Sequence, residues 1–344
     1  MNTGITGFWL SPTYKCNNRC RWCYVGGKLA KSSEATMFEV EKYLLQMVGV
    51  GAKTCVFIGG EPTTYPYIVD AVKFATAQGL SVRIMTNGRK LADRSFVKAL
   101  KEAGLKHCSV SVEGIMPVHD IITRVPGSFE ESIAGVVNCI EEGVPVNSIS
   151  TIGNLNKDTI EELVIFLRGI GIKRSVFNMC SSQPSGYGGR DNSVIDLDEY
   201  ARIVEEIGLK YDFVRFYALI PLCLFDQEKL HRLLELGRMK VSCSLFANSV
   251  AIDPMGNLNP CTHMADIIYG NLNEPSGLQD FLKIKEKEMA FLRNHAPSLK
   301  CVDCRLWNTC FGGCNLIWFS RQAEKCIKGL NNNNQKGGKN ENSC

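Results

Sequence analysis

The chain has 344 residues, 39 of them Lys or Arg and 35 Asp or Glu, for a formal net charge of +4. That small excess is spread along the sequence, so it makes no case for nucleic acid or a membrane surface as a partner. No apolar run is long enough to span a bilayer, and Met1 to Gly7 lack the basic start and apolar stretch of a secretion signal, which points to a cytoplasmic protein built as a larger domain plus a smaller one.

From residue 5 to about 215, short apolar runs alternate with amphipathic stretches. The runs at 5–10, 54–58, 81–85, 107–112, 144–150 and 175–178 read as strands, and the stretches at 37–48, 67–78, 94–103, 129–141 and 159–169 as helices. Gly79, Gly104, Gly143 and Gly171 each sit where a helix should stop before the next strand. Strands joined by helix-length crossovers predict a parallel sheet. Six such units suit an α/β fold of the partial (β/α)6 TIM-barrel type, with the active site at the carboxyl ends of the strands. A helix at 196–207, a strand at 212–217 and a helix at 226–236 follow. The turn Pro254-Met255-Gly256-Asn257 then predicts a small hairpin, and 278–292 a last helix. The expected division is a barrel over 1–215, a bridging segment over 216–242, a cysteine-rich domain over 243–328 and a disordered, almost apolar-free tail over 329–344.

Sixteen cysteines without an export signal argue for metal rather than disulfides. Cys16, Cys20 and Cys23 form C-x3-C-x2-C just after the first predicted strand. Thiolates at this spacing suit an iron–sulfur cluster or zinc. Zinc would want a fourth ligand, and none lies nearby in sequence, so a zinc knuckle would need a remote one. Three thiolates on a four-iron cluster leave one iron open to a small ligand.

These residues resemble the radical S-adenosylmethionine (SAM) superfamily, which carries the same cysteine spacing with an aromatic beside the last Cys, here Trp22 and Tyr24. The resemblance implies a SAM site built along residues 5–215. Gly59-Gly60-Glu61 would hold the SAM amino group, since glycines permit close backbone approach and a carboxylate pairs with an ammonium. Ser111 and Glu113 would reach the ribose, Arg124 the SAM carboxylate, and Thr86 and Asn87 would line the pocket, with Asn154 or Asn156 in a similar role. His119, Asp120 and Gly127-Ser128-Phe129 match a further family segment.

The second cysteine region runs Cys243, Gly256, Cys261, then Cys301, Cys304, Cys310, Cys314 and Cys326. It resembles the SPASM domain, a C-terminal extension of one radical SAM branch. That resemblance implies two auxiliary four-iron clusters, one on Cys301, Cys304, Cys310 and Cys326, the other on Cys243, Cys261 and Cys314. The second set is one thiolate short. Position 237, where some relatives carry a Cys, is Gly, and Cys223 is the nearest candidate. Two zinc sites are the rival. Cys55, Cys108 and Cys139 read as core, and Cys180 as packing near the active-site end.

The implied activity is that of a radical SAM oxidoreductase with SAM and three 4Fe-4S clusters as cofactors. An external ferredoxin or flavodoxin would supply the electron that splits SAM, and the resulting 5′-deoxyadenosyl radical would abstract hydrogen from a peptide or protein substrate. Maturation of a ribosomally made peptide through a thioether or carbon–carbon crosslink is the leading expectation. Only fifteen residues precede Cys16, so a separate leader-binding protein, or direct binding to the barrel, would have to serve. Formylglycine formation in sulfatases and heme-precursor processing are alternatives. Sulfatase maturases carry Asp after the Cys that aligns with Cys261, where this chain has Thr262-His263. A non-catalytic zinc or electron-transfer protein on the same scaffold is the alternative from another class.

Overall fold

The computed structural model describes residues 4–30, 32–180, 193–217, 219–241, 243, 245–296, 299–314 and 316. Cys326 and the predicted tail lie outside the described residues. Eight parallel strands stand side by side in chain order: β1 (Gly7–Leu10), β2 (Thr54–Phe57), β3 (Ser81–Thr86), β4 (His107–Ser111), β5 (Val146–Ile152), β6 (Ser175–Met179), β7 (Val214–Tyr217) and β8 (Met239–Lys240). After β1 come α1 (Gly26–Leu29) and α2 (Met37–Gly49). The next crossovers are α3 (Ile68–Ala77), α4 (Arg94–Glu102), α5 (Val118–Thr123) with α6 (Ser128–Glu141), α7 (Ile160–Gly169), α8 (Leu197–Lys210) and α9 (Gln227–Glu235).

Local chemistry explains the boundaries. Thr36 opens α2 with a capping box: its hydroxyl accepts from the Glu39 N–H, and the Glu39 carboxylate accepts from the Thr36 N–H at 2.7 Å. Gly79, Gly104, Gly143 and Gly171 all adopt left-handed φ, 70–101°, which ends their helices as expected. Alternate strand residues such as Phe8, Leu10, Phe57 and Ile84 meet the buried faces of the helices, including Val40, Leu44, Val72 and Leu163. Each such side chain contributes about 1.5–3 kcal/mol by leaving water. Cys55, Cys108 and Cys139 belong to this core, as expected.

The sheet does not close. On the far side of β1 it continues through β9 (Ser249–Ile252), β10 (Asn257–Asn259) and β11 (Gly270–Asn271), eleven strands among the described residues. β9 runs parallel to β1, with Phe8 opposite Val250 and Leu10 opposite Ile252, while β10 and β11 alternate direction. The predicted hairpin is therefore present, and it extends the barrel's own sheet. Its turn is held by Asp253, whose Oδ1 accepts the N–H groups of Met255 and Asn257, each at 2.9 Å. Gly256 completes the turn at φ 78° and rests on α2, so that a Cβ there would fall 2.8 Å from the Tyr43 hydroxyl. The chain then forms α10 (Gly277–Asn294), α11 (Leu299–Val302) and α12 (Trp307–Cys310).

Because Gly256 combines left-handed backbone with no room for Cβ, Gly256→Ala is expected to cost about 1–3 kcal/mol. Chemical denaturation measures this as a fall in midpoint at unchanged slope.

Candidate active site

Cys16, Cys20 and Cys23 lie on the loop that leaves the carboxyl end of β1. Two neighbouring segments fix this loop through backbone hydrogen bonds. On one side, the N–H groups of Arg19 and Arg21 donate to the carbonyls of Thr123 and Ile122 in α5, at 3.0 and 2.9 Å. On the other, the N–H groups of Gly60 and Glu61 donate to the carbonyls of Thr13 and Lys15, at 2.9 and 2.8 Å. Gly59 and Gly60 are what this approach requires: a Cβ on Gly60 would lie 2.3 Å from the Lys15 carbonyl oxygen, and one on Gly59 2.5 Å from that of Thr13. The three thiols act on one another electrostatically. Burial pushes Cys16 up to about 12 and Cys23 up to about 11, and Cys20 is raised by burial and then by the charges of Cys23 and Cys16. The Asn18 N–H points at Cys16 Sγ, 3.4 Å away.

Glu61 is buried beside this loop. Its Oε1 accepts from the Thr63 N–H (3.0 Å), the Thr63 hydroxyl (2.6 Å) and the Thr86 hydroxyl (2.6 Å), and its Oε2 from the Asn87 N–H (2.7 Å). Burial raises its pKa, and these donors oppose the rise. A carboxylate offers roughly four acceptor positions, two per oxygen, so Oε2 retains room for one more donor. The Asn87 side chain in turn donates to Asn17 in the cysteine loop at 2.6 Å. Glu61, Thr86 and Asn87 thus form one connected network with the cysteine loop.

Ser111 ends β4, and Glu113 lies two residues beyond it, buried. Burial pushes the Glu113 carboxyl up to about 7, against the lowering effect of the Thr151 N–H, which donates to it at 2.8 Å. The Glu113 backbone is gripped as well: its N–H donates to His119 Nδ1 at 3.1 Å, and its carbonyl accepts from the Asn156 side chain at 2.6 Å. Burial holds His119 down to about 4, a neutral imidazole suited to accepting that N–H. Asp120 caps α6, accepting from the N–H groups of Gly127 and Phe129 and from the Ser128 hydroxyl at 2.7–2.9 Å. Arg124 ends α5 with φ 57°, directly after the Thr123 carbonyl that holds Arg19.

Tyr24, next to Cys23, links the two cysteine regions. Its ring lies 4.6 Å from that of His263, two residues after Cys261, and His263 Nδ1 is 3.9 Å from Cys261 Sγ. Cys243 and Cys261 act on each other electrostatically. Cys310 Sγ accepts from the Leu222 N–H at 3.3 Å, and the Cys314 N–H donates to the Leu219 carbonyl at 2.7 Å. The charge of Cys223 acts on Cys310, a member of the other proposed ligand set from the one it was considered for. Among the described residues no three His, Cys, Asp or Glu side chains close on a single metal-ion centre. The fit to iron–sulfur clusters therefore rests on donor chemistry: thiols in groups, with backbone N–H groups aimed at sulfur.

Sequence reasoning missed His263 and Lys285 as members of this region. Lys285 had a signal: it lies four residues after Phe281, which is fully buried, and so on the same helix face. His263 had none, since its partner Tyr24 is remote in sequence.

Residues 10–168 match the family described as the radical SAM superfamily. This stretch is a radical SAM domain. The chain is 25% identical over 327 residues to the Fe-coproporphyrin III synthase of Methanosarcina barkeri, covering 87% of the chain and 80% of that protein. It is 27% identical over 293 residues to the GTP 3′,8-cyclase of Alkaliphilus oremlandii, covering 79% and 87%. Among solved structures, its fold is similar to that of anSMEcpe with AdoMet and a Cp18Cys peptide, at a TM-score of 0.69, 16% identity and coverage of 96% and 99%. It is also similar to Streptococcus suis SuiB bound to precursor peptide SuiA, at 0.67, 18%, 90% and 72%.

Two expectations follow for the radical SAM site. Gly60→Ala forces the Lys15 carbonyl away, so iron bound per chain after anaerobic reconstitution should fall by about the content of one cluster, measured by colorimetric iron assay. Glu113 titrates higher in the folded chain than in the unfolded one. Its contribution to stability is thus full below about pH 4 and lost as pH rises through 7, an effect on the order of 3 kcal/mol. The Tm of the metal-free wild type should therefore fall relative to that of Glu113→Gln between pH 5 and pH 8.

Proposed function

We propose that this enzyme reductively cleaves SAM and uses the resulting radical to take a hydrogen atom from a peptide or protein side chain, forming a thioether or carbon–carbon crosslink in a ribosomally made peptide. The observation that carries the radical chemistry is the mutual electrostatic interaction of Cys16, Cys20 and Cys23 on a loop joined through the backbone to Gly60 and Glu61. Similarity of fold to anSMEcpe and SuiB, both solved with peptides, supports the peptide substrate.

Cys16, Cys20 and Cys23 would hold a four-iron cluster, which would supply the electron for reductive cleavage of SAM. Glu61 keeps an acceptor position for the SAM ammonium, while Thr86 and Asn87 fix its carboxylate in place. Gly59 and Gly60 set the loop height, Arg124 pairs with the SAM carboxylate, and Ser111 and Glu113 bind the ribose. A Glu113 carboxyl near its pKa at neutral pH can donate or accept a hydrogen bond there. The Tyr24 ring, next to Cys23, lies against that of His263, two residues after Cys261 in the second cysteine region. In that region Cys301, Cys304, Cys310 and Cys326 would ligate one auxiliary cluster, and Cys243, Cys261 and Cys314 the other. The barrel domain would run over 1–215 and the SPASM domain over 243–328, with a ferredoxin or flavodoxin as electron donor.

A second reading, processing of a heme precursor, is supported by the 25% identity to the Fe-coproporphyrin III synthase across most of both chains. One experiment separates the readings. The reconstituted enzyme is given SAM and dithionite with either a candidate precursor peptide encoded beside its gene or a heme-precursor porphyrin. Peptide maturation gives 5′-deoxyadenosine tied to a peptide product lighter by two hydrogens. Turnover with the porphyrin alone selects the second reading. Replacing Cys16, Cys20 and Cys23 with Ala should abolish 5′-deoxyadenosine in either case. A triple variant that still cleaves SAM overturns the site, and colourless zinc-bound protein overturns the enzyme reading altogether.

A further inference from the structure

Lys285 is buried in the middle of α10, on the helix face that carries Phe281. Its Nζ donates to the carbonyls of Ala247 and Ser249, at 2.6 and 2.8 Å, and lies 5.6 Å from the Phe281 ring centre. Ala247 closes the turn that begins at Cys243, its N–H donating to the Cys243 carbonyl at 3.0 Å. Ser249 opens β9. The ammonium therefore grips the turn that starts with one ligand thiol of the second cysteine region, and the thiols of Cys243 and Cys261 both act on its charge.

Anchoring two carbonyls does not require a charge; a neutral amide would do it. A buried ammonium costs several kcal/mol in lost hydration unless negative charge nearby offsets it. Burial lowers the Lys285 pKa to about 8 even though the Cys243 and Cys261 thiolates oppose the fall. An anionic cluster on those thiolates is the counter-charge this site suits, and the attraction works in both directions. Reduction adds an electron to the cluster, and a fixed positive charge in a low-dielectric interior favours the more negative state.

We propose that the Lys285 ammonium raises the reduction potential of the auxiliary cluster held by Cys243 and Cys261, making that cluster an electron acceptor. Lys285 is a positioning residue: it acts through the cluster and touches no substrate. The inference rests on the reading that Cys243, Cys261 and Cys314 hold a cluster.

The test uses the full, anaerobically reconstituted chain with Cys16, Cys20 and Cys23 changed to Ala, so that only auxiliary centres remain. Lys285→Gln keeps N–H donors for the two carbonyls but removes the charge, and Lys285→Arg keeps the charge. Redox titration followed by electron paramagnetic resonance reads each centre. At the former midpoint of one centre, the reduced-to-oxidised ratio should fall about tenfold in Lys285→Gln, equivalent to about 59 mV for one electron. The other centre should not move, and Lys285→Arg should keep the original value. Full iron content with both midpoints unmoved in Lys285→Gln overturns the inference and leaves the cluster reading intact. Loss of iron in Lys285→Gln assigns the lysine to anchoring the turn and overturns it as well. A parent chain with iron for only one auxiliary centre overturns the cluster reading itself.

Discussion

The site depends on one close backbone contact, where Gly59-Gly60-Glu61 lies against the carbonyls of Thr13, Tyr14 and Lys15. Nothing larger than a hydrogen atom fits at the two glycines, so the end of β2 and the cysteine loop after β1 share a fixed separation. The same contact delivers Glu61 into a cage of four donors, from Thr63, Thr86 and Asn87. A buried carboxylate would be costly without those donors. With them it is held rigidly, three donors on Oε1 and one on Oε2, beside the cysteine loop.

Much of this was legible in the sequence, because it is local or periodic. The strand starts at Thr54, Ser81, His107 and Ser175 were read to the residue, since each follows a helix-stopping glycine or a short polar link. The cysteine loop, the Gly-Gly-Glu segment and the end of β4 were legible because chemistry restricts them to few residue types. The short helix α5 was not, because six residues give no clear period; yet its carbonyls hold Arg19 and Arg21. Lys285 was not singled out, because a lysine on a predicted helix carries by itself no sign of burial in the sequence. The pairing of Tyr24 with His263 joins residues more than two hundred positions apart, and no local pattern encodes such a contact.

Glycine roles shifted in an instructive way. The expectation was that Gly59 and Gly60 allow a ligand to approach the backbone. In the structure their missing side chains face the protein's own carbonyls, so the demand for glycine comes first from assembling the loop. A Gly-Gly-Glu segment can thus be required for building the cysteine loop independently of any atom of SAM.

The parallel pairing of β9 with β1 has a further consequence. β1 lies inside the sheet, flanked by β2 and by a strand that arrives some 240 residues later in the chain. During synthesis, therefore, the first strand waits with one row of amide and carbonyl groups unmatched until the cysteine-rich region has emerged. A fragment ending before residue 249 would carry that open border permanently, and would be prone to stick to other copies through it. The strand that leads into the first cysteine loop thus reaches its finished surroundings only when residues 249–252 are present.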